Sequence, residues 1–273
     1  MKNVDRVVLY VIIAAGAATM IVPLLWMAST SLKASTDVFA MPPKWIPPTL
    51  HPENYVNAWQ AVPFGRFYLN SLFVALTVTV GQVVSSALAA YAFARLEFPG
   101  RDKLFFAYLA TMMIPGAVTM IPLFILLREL GWIDTYKALI IPGIFSAYGT
   151  FLLRQFFLTI PRDLEDAAKI DGCGHFRILC EVVLPLSKPA LATLATFTFM
   201  GSWGSFLWPL VVTHSMDLKT LPVGLAAFQG QYGSDWTLLM AGSVMAIVPV
   251  IIVFVINQKH FVEGIKMSGF GGT

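Results

Sequence analysis

The stretch YLNSLFVALTVTVGQVVSSALAAYAFA, from Tyr68 to Ala94, contains no Asp, Glu, Lys, Arg or His. A helix rises about 1.5 Å per residue and needs roughly 20 apolar residues to cross the hydrocarbon of a bilayer. This stretch exceeds that length. Working outward from it, equally charge-free runs occur at Val7–Ala28, Leu104–Leu127, Ala138–Leu153, Ala190–Thr213 and Leu238–Ile256. The run Ala138–Leu153 is the short one. It reaches crossing length if Arg154 snorkels and Phe156, Phe157 and Leu158 continue the span.

Composition fits only that setting. Of 273 residues, 57% are hydrophobic and 12% charged, whereas a soluble domain carries roughly 25% charge. Too little polar surface remains to keep such a chain in water, which excludes soluble enzymes and soluble binding modules. The expected fold is all-α, a polytopic membrane protein with six transmembrane helices. A net charge of +3 is too slight to point to nucleic acid. Met1 to Arg6 is short and basic and precedes an uncharged run from Val7 to Leu32. A secretory signal has an apolar core of only about 7–15 residues, so an uncleaved first span is expected.

Lys and Arg in the connections set the orientation. With the N-terminus inside, twelve of the 18 basic residues fall on the inner side, among them Arg95, Arg101, Lys103, Arg154, Arg162 and Lys169. Six, including Lys33, Lys44 and Lys219, fall outside. Both termini are therefore expected in the cytoplasm. The first outer loop, Ser29 to Phe67, carries Pro42, Pro43, Pro47 and Pro48 and should be extended or turn-rich. The longest polar segment, Arg154 to Lys188, is cytoplasmic and lies between spans four and five.

None of the six runs holds an ionisable residue, which argues against a proton-driven carrier, a voltage sensor or an intramembrane protease. No H-E-x-x-H and no G-x-x-x-x-G-K-[ST] occurs. Energy must therefore come from another chain. The two cysteines, Cys173 and Cys180, exclude a disulfide framework. With His175 they offer three metal ligands but no fourth, at a spacing unlike common zinc sites, so no metal is expected. Pro115, Pro122, Pro142, Pro209 and Pro249 interrupt spans and free backbone groups that neighbours or water must satisfy. Such kinks shape the bundle or border a path.

The informative polar stretch is IPRDLEDAAKIDG, Ile160 to Gly172, continuing to Leu184-Pro185 and Pro189. Pro161 suits a first helical turn, and Asp163, Glu165 and Asp166 place negative charge at the positive end of the helix. Glu165 and Lys169 are spaced for an i,i+4 pair. Leu164, Ala167, Ala168 and Asp171 share a face, and Gly172 is a natural terminator. A second amphipathic piece follows with Phe176, Leu179, Val182 and Val183. This is a short helix outside the bilayer whose two alanines let another surface approach closely.

Asp166-Ala167-Ala168, Gly172, Val182 and Leu184-Pro185 keep the spacing of the E-A-A…G…L-P signature of ATP-binding-cassette importer permeases, with Asp in place of the first Glu. The chain resembles that family from span two through span six. It is similar in particular to the carbohydrate-importing (MalG-like) branch, through Tyr91–Gly100, Phe206–Leu210, Thr220–Leu225 and Gln258–Gly264. Where members often carry Trp-Asn and an acidic residue, this chain has Trp203-Gly204-Ser205. Gly201 and Ser205 there form a small-xxx-small face instead.

The resemblance implies that Leu164, Glu165, Asp166, Ala167, Ala168, Asp171 and Gly172 dock as a coupling helix into a cytoplasmic ATPase subunit, expected as a dimer. It also implies a second homologous permease subunit, an extracytoplasmic solute-binding protein, and ATP and Mg bound by the ATPase rather than by this chain. The expected division is 1–67 (first span and outer loop), 68–260 (permease domain, docking segment 160–185) and 261–273 (cytoplasmic tail). The expected place is a bacterial or archaeal plasma membrane, in contact with lipid. Candidate path residues are Asn70, Gln82, Met112, Trp203 and Phe206, since amides and aromatic faces suit sugars. A non-sugar solute and a stand-alone channel or carrier are the competing transport readings. A membrane-embedded enzyme would need converging polar groups, and the spans offer only Ser, Thr, Asn and Gln, which more often satisfy packing.

Overall fold

The computed structural model describes residues 2–230 and 233–269, so the last four residues of the expected tail lie outside the described residues. Helices dominate from end to end, as the charge-free runs require. Four are long and apolar enough to cross a membrane: Arg6–Thr30, Phe64–Arg95, Tyr136–Leu158 and Trp236–Lys259. Two bent pairs, Arg101–Met113 with Gly116–Glu129 and His175–Leu186 with Lys188–Trp203, raise the number to six if each is one span. The strand pairing among the described residues is a two-residue antiparallel one, Gln229 with Ser234 and Gly230 with Gly233.

The chain clusters into two units, Met1–Tyr68 with Leu221–Pro249 and Leu69–Thr220 with Val250–Thr273. In the first, helix α1 (Lys2–Thr30) leaves Val7 to Ile13 exposed. An apolar surface on all sides of an unpacked helix is a lipid-facing surface. The following loop is more ordered than its prolines suggest, because it holds α2 (Glu53–Ala61). Asn54 of α2 donates to the Ser31 and Lys33 carbonyls at 3.0 and 2.9 Å, and Tyr55 shares a hydrogen bond with Ser31. The ammonium of Lys33 is buried 3.8 Å from the Trp26 ring centroid, where a cation–π contact replaces part of its hydration.

The second unit is built on α3 (Phe64–Arg95). Its N-terminal half packs Val74 and Val78 against Leu127, Ala138, Leu139, Ile140 and Val212. Its C-terminal half packs Ala87, Ala90 and Ala94 against Leu153, Phe157, Ile178, Val183 and Leu194. The small residues of α3 allow that close crossing. Gly149 belongs to the same contact, since a Cβ there would lie 2.5 Å from the Ser86 hydroxyl.

Three of the expected spans are broken, each near a proline that the sequence marked as an interruption, and each break has a local cause. The run Leu104–Leu127 divides into α4 (Arg101–Ala110) and α5 (Gly116–Glu129), bent by 99°. Pro115 forces Ile114 out of the helical region, to φ −84° and ψ 116°. Span four comprises α6 (Tyr136–Ile140) and α7 (Ala147–Leu158), joined through a 3₁₀ turn containing Pro142. The continuation through Phe156 to Leu158 is helical as expected. The run Ala190–Thr213 is not one helix either. The pieces between are α8 (Asp163–Ile170), α9 (His175–Ile178) and α10 (Leu184–Leu186), before α11 (Lys188–Trp203) and α12 (Leu207–Val212). Helix α11 stops at Gly204, and the ring of Pro209 prevents the helical carbonyl of Ser205 from being used.

Asp134 ties two loops together. It adopts φ 58°, and its carboxylate accepts from the His214 and Ser215 amides at 2.8 and 3.0 Å and from the Ser215 hydroxyl. Burial pushes the carboxyl up, but these donors outweigh it and hold the carboxyl below its ordinary value. A carboxyl depressed on folding contributes stability above its unfolded pKa of roughly 3.9. That contribution is lost as pH falls through the lower folded value. Thermal melting in detergent is therefore expected to drop below about pH 4, and to drop less in Asp134→Asn. Equal acid sensitivity of the two proteins would remove Asp134 from this account.

Candidate functional site

Helix α8 begins after Pro161 with Asp163, Glu165 and Asp166 in its first turn and Lys169 in its last, the charge order that the helix dipole favours. It ends in a Schellman-type cap. The Cys173 amide donates to the Ala168 carbonyl at 2.9 Å and the Gly172 amide to Lys169 at 3.0 Å. Gly172 takes φ 81°, which a residue without Cβ adopts freely. Ala168 and Cys173 pack on the core that α3 shares with α7, so the cap also fastens the helix to the bundle. No group of three or more His, Cys, Asp or Glu suited to a metal occurs among the described residues.

The anchor of this helix is a pair that sequence spacing did not reveal. Glu165 turns inward, 2.8 Å from Nε of Arg95, with both side chains about 95% buried (4% and 6% exposed). The pair is a charge contact, since neither Nε nor Oε1 completes an aligned hydrogen bond. Arg95 also donates through Nη2 to the Phe157 and Ile160 carbonyls, at and just beyond the last turn of α7. One guanidinium thus joins α3, α7 and α8. Lys169 therefore does not pair with Glu165. It bonds Asp166 at 2.9 Å instead, and that hydrogen bond, then the ammonium charge, holds the exposed Asp166 carboxyl below its ordinary value.

Of the seven expected docking residues, Leu164, Asp166, Ala167, Asp171 and Gly172 are exposed, Ala168 is half-buried and Glu165 is buried. The same region also presents Ile170, 87% exposed, and Phe176, 72% exposed. Ile170 was not among the expected docking residues. A large aliphatic residue three positions after Ala167 in an otherwise polar stretch is the sequence signal that could have found it.

A cavity of about 460 Å³ opens in the second unit, within the roughly 300–1,000 Å³ of small-molecule sites. The breaks described above line it: Pro142 and Gly143 from span four, Ser205 and Pro209 from span five. Irregular backbone at membrane depth is tolerated where it borders such a space. Gln82 is on its wall and donates to Thr198 at 2.9 Å.

The other candidate path residues lie elsewhere. Asn70 is buried and fully used, donating to the Asp217 and Lys219 carbonyls and accepting from the Tyr136 hydroxyl at 2.6 Å. Trp203 is buried and stacked on Phe199. Met112 and Phe206 are exposed and do not line the cavity. Ser202, Ser205 and Thr220, which the sequence did not single out as path residues, do line it.

Residues 82–266 match the family described as binding-protein-dependent transport system inner membrane component. The chain belongs to that family. The matched region of this permease begins at Gln82, and so includes Arg95, α8 and the part of the cavity wall from Gln82 onward. The arabinooligosaccharides transport system permease protein AraQ of Halalkalibacterium halodurans is 38% identical over 253 residues, covering 92% of this chain and 91% of AraQ. The sn-glycerol-3-phosphate transport system permease protein UgpE of Escherichia coli is 34% identical over 261 residues, covering 93% of each. Among solved structures, a bacterial ABC transporter involved in the import of the acidic polysaccharide alginate contains a chain that superimposes with a TM-score of 0.85. That chain is 26% identical, with 95% of this permease and 97% of that chain covered.

Proposed function

We propose that this permease is one transmembrane subunit of an ATP-driven importer of a sugar or sugar-like solute. The observation that carries the proposal is the outward face of α8, held from behind by the buried Arg95–Glu165 pair and leaving Leu164, Ala167 and Ile170 exposed. A rigid helix with an apolar outer face suits docking into a cleft of an ATPase dimer. ATP and Mg then belong to that partner. A second, similar permease subunit completes the path, and an extracytoplasmic binding protein delivers the solute. Both termini lie in the cytoplasm of a bacterial or archaeal cell, residues 68–260 form the permease domain, and alternating access follows from motion passed through α8. The sugar transport named for AraQ and the alginate import named for the structural neighbour support the cargo class.

Affinity purification of the tagged protein in mild detergent tests the assembly. An ATPase and a second permease are expected to co-purify with the wild type. Both are expected to be lost from Ile170→Asp, whose side chain has no packed neighbours to disturb, while membrane insertion persists. An unchanged complex in that variant would show that α8 is not the docking surface.

A further inference from the structure

The wall of the cavity in the second unit holds a polar group that nothing in the protein satisfies. Thr220 is 4% exposed, its hydroxyl has no hydrogen-bond partner, and it lines the cavity. A buried hydroxyl left unpaired is costly, and one retained on a cavity wall points to a partner that arrives from outside. The neighbouring groups have the same character. Gln82 uses one amide hydrogen on Thr198 and keeps a carbonyl and a second hydrogen for other partners. Ser202 and Ser205 add hydroxyls. Trp208 spends its indole N–H on the Ala138 carbonyl at 3.0 Å, which leaves its ring as apolar wall.

We infer that this cavity is a solute site for a neutral, hydroxyl-rich molecule, with Thr220 and Gln82 as solute-contacting residues, and that it discriminates against anions. The inference rests on the importer reading above. Hydroxyls and amides both donate and accept, as sugar hydroxyls do. None of the residues lining the cavity is Asp, Glu, Lys, Arg or His. A phosphate or carboxylate entering the cavity loses hydration with no counter-charge on this wall. Charge is the property that divides the relatives, whose names include a neutral oligosaccharide and sn-glycerol 3-phosphate.

The test is ATP-dependent uptake by the complete transporter, with its ATPase, second permease and binding protein, in proteoliposomes. The probes are radiolabelled arabinotriose, maltose, glycerol 3-phosphate and an alginate disaccharide. Uptake of a neutral probe and exclusion of both anions is expected. Thr220→Val, which keeps the shape and removes the unpaired hydroxyl, is expected to lower that uptake about two- to tenfold while the melting temperature stays level or rises. A purely structural Thr220 would instead lower the melting temperature. Transport of either anion at the rate of the neutral probes, or normal uptake by Thr220→Val, overturns the inference and leaves the importer standing. Absence of ATP-dependent uptake of every probe overturns the importer reading itself.

Discussion

Arg95→Leu is expected to destabilise the protein by about 3–5 kcal/mol, the usual cost of leaving one member of a buried ion pair uncompensated. Glu165 is left without its counter-charge in a site where its own side chain is 6% exposed, and the Phe157 and Ile160 carbonyls lose the hydrogen bonds from Arg95. The double variant Arg95→Leu with Glu165→Leu removes both charges. It is expected to recover most of that loss, since apolar replacement of a whole buried pair is often neutral. Uptake should not recover with it, because α8 is then no longer tied to α3 and α7. Melting in mild detergent and uptake in the same preparations separate the two effects. A single variant as stable as the wild type would mean that the pair does not hold α8, and full uptake by the double variant would mean that the joint transmits nothing.

The second large effect is expected at Gly172. A β-branched residue at φ 81° is a backbone outlier, at a cost of roughly 1–3 kcal/mol. No heavy atom lies within 4 Å of where its Cβ would sit, so the penalty comes from the backbone rather than from a clash. Gly172→Val should fray the Schellman cap, release Ala168 and Cys173 from the core, and reduce uptake at least tenfold. Gly172→Asn, which tolerates the left-handed region, should retain most of it. If both variants behave alike, the loss comes from side-chain bulk at the docking surface and not from the turn.

The sequence alone determined the membrane setting, the helical class and the short capped helix that we propose for docking, because each rests on local quantities. The run Tyr68–Ala94 needs only length and absence of charge to demand a bilayer. Asp163 to Gly172 needs only its charge order and its glycine to be a capped helix. The breaks were partly legible, for Pro115 and Pro209 were visible as interruptions, but not the 99° bend that one of them makes. The direction in which each side chain points was not legible. Glu165 was spaced for Lys169 and instead found Arg95, seventy positions away in the chain, because burial rewards a partner in three dimensions over a solvated neighbour on the same helix. Asn70 looked like a path residue and became a clasp between loops, while Thr220 looked like loop and became cavity wall. Hydrogen-bond partners are chosen by the packing of α3, α7, α11 and α12, which brings residues far apart in sequence within 3 Å, and no local pattern records that choice.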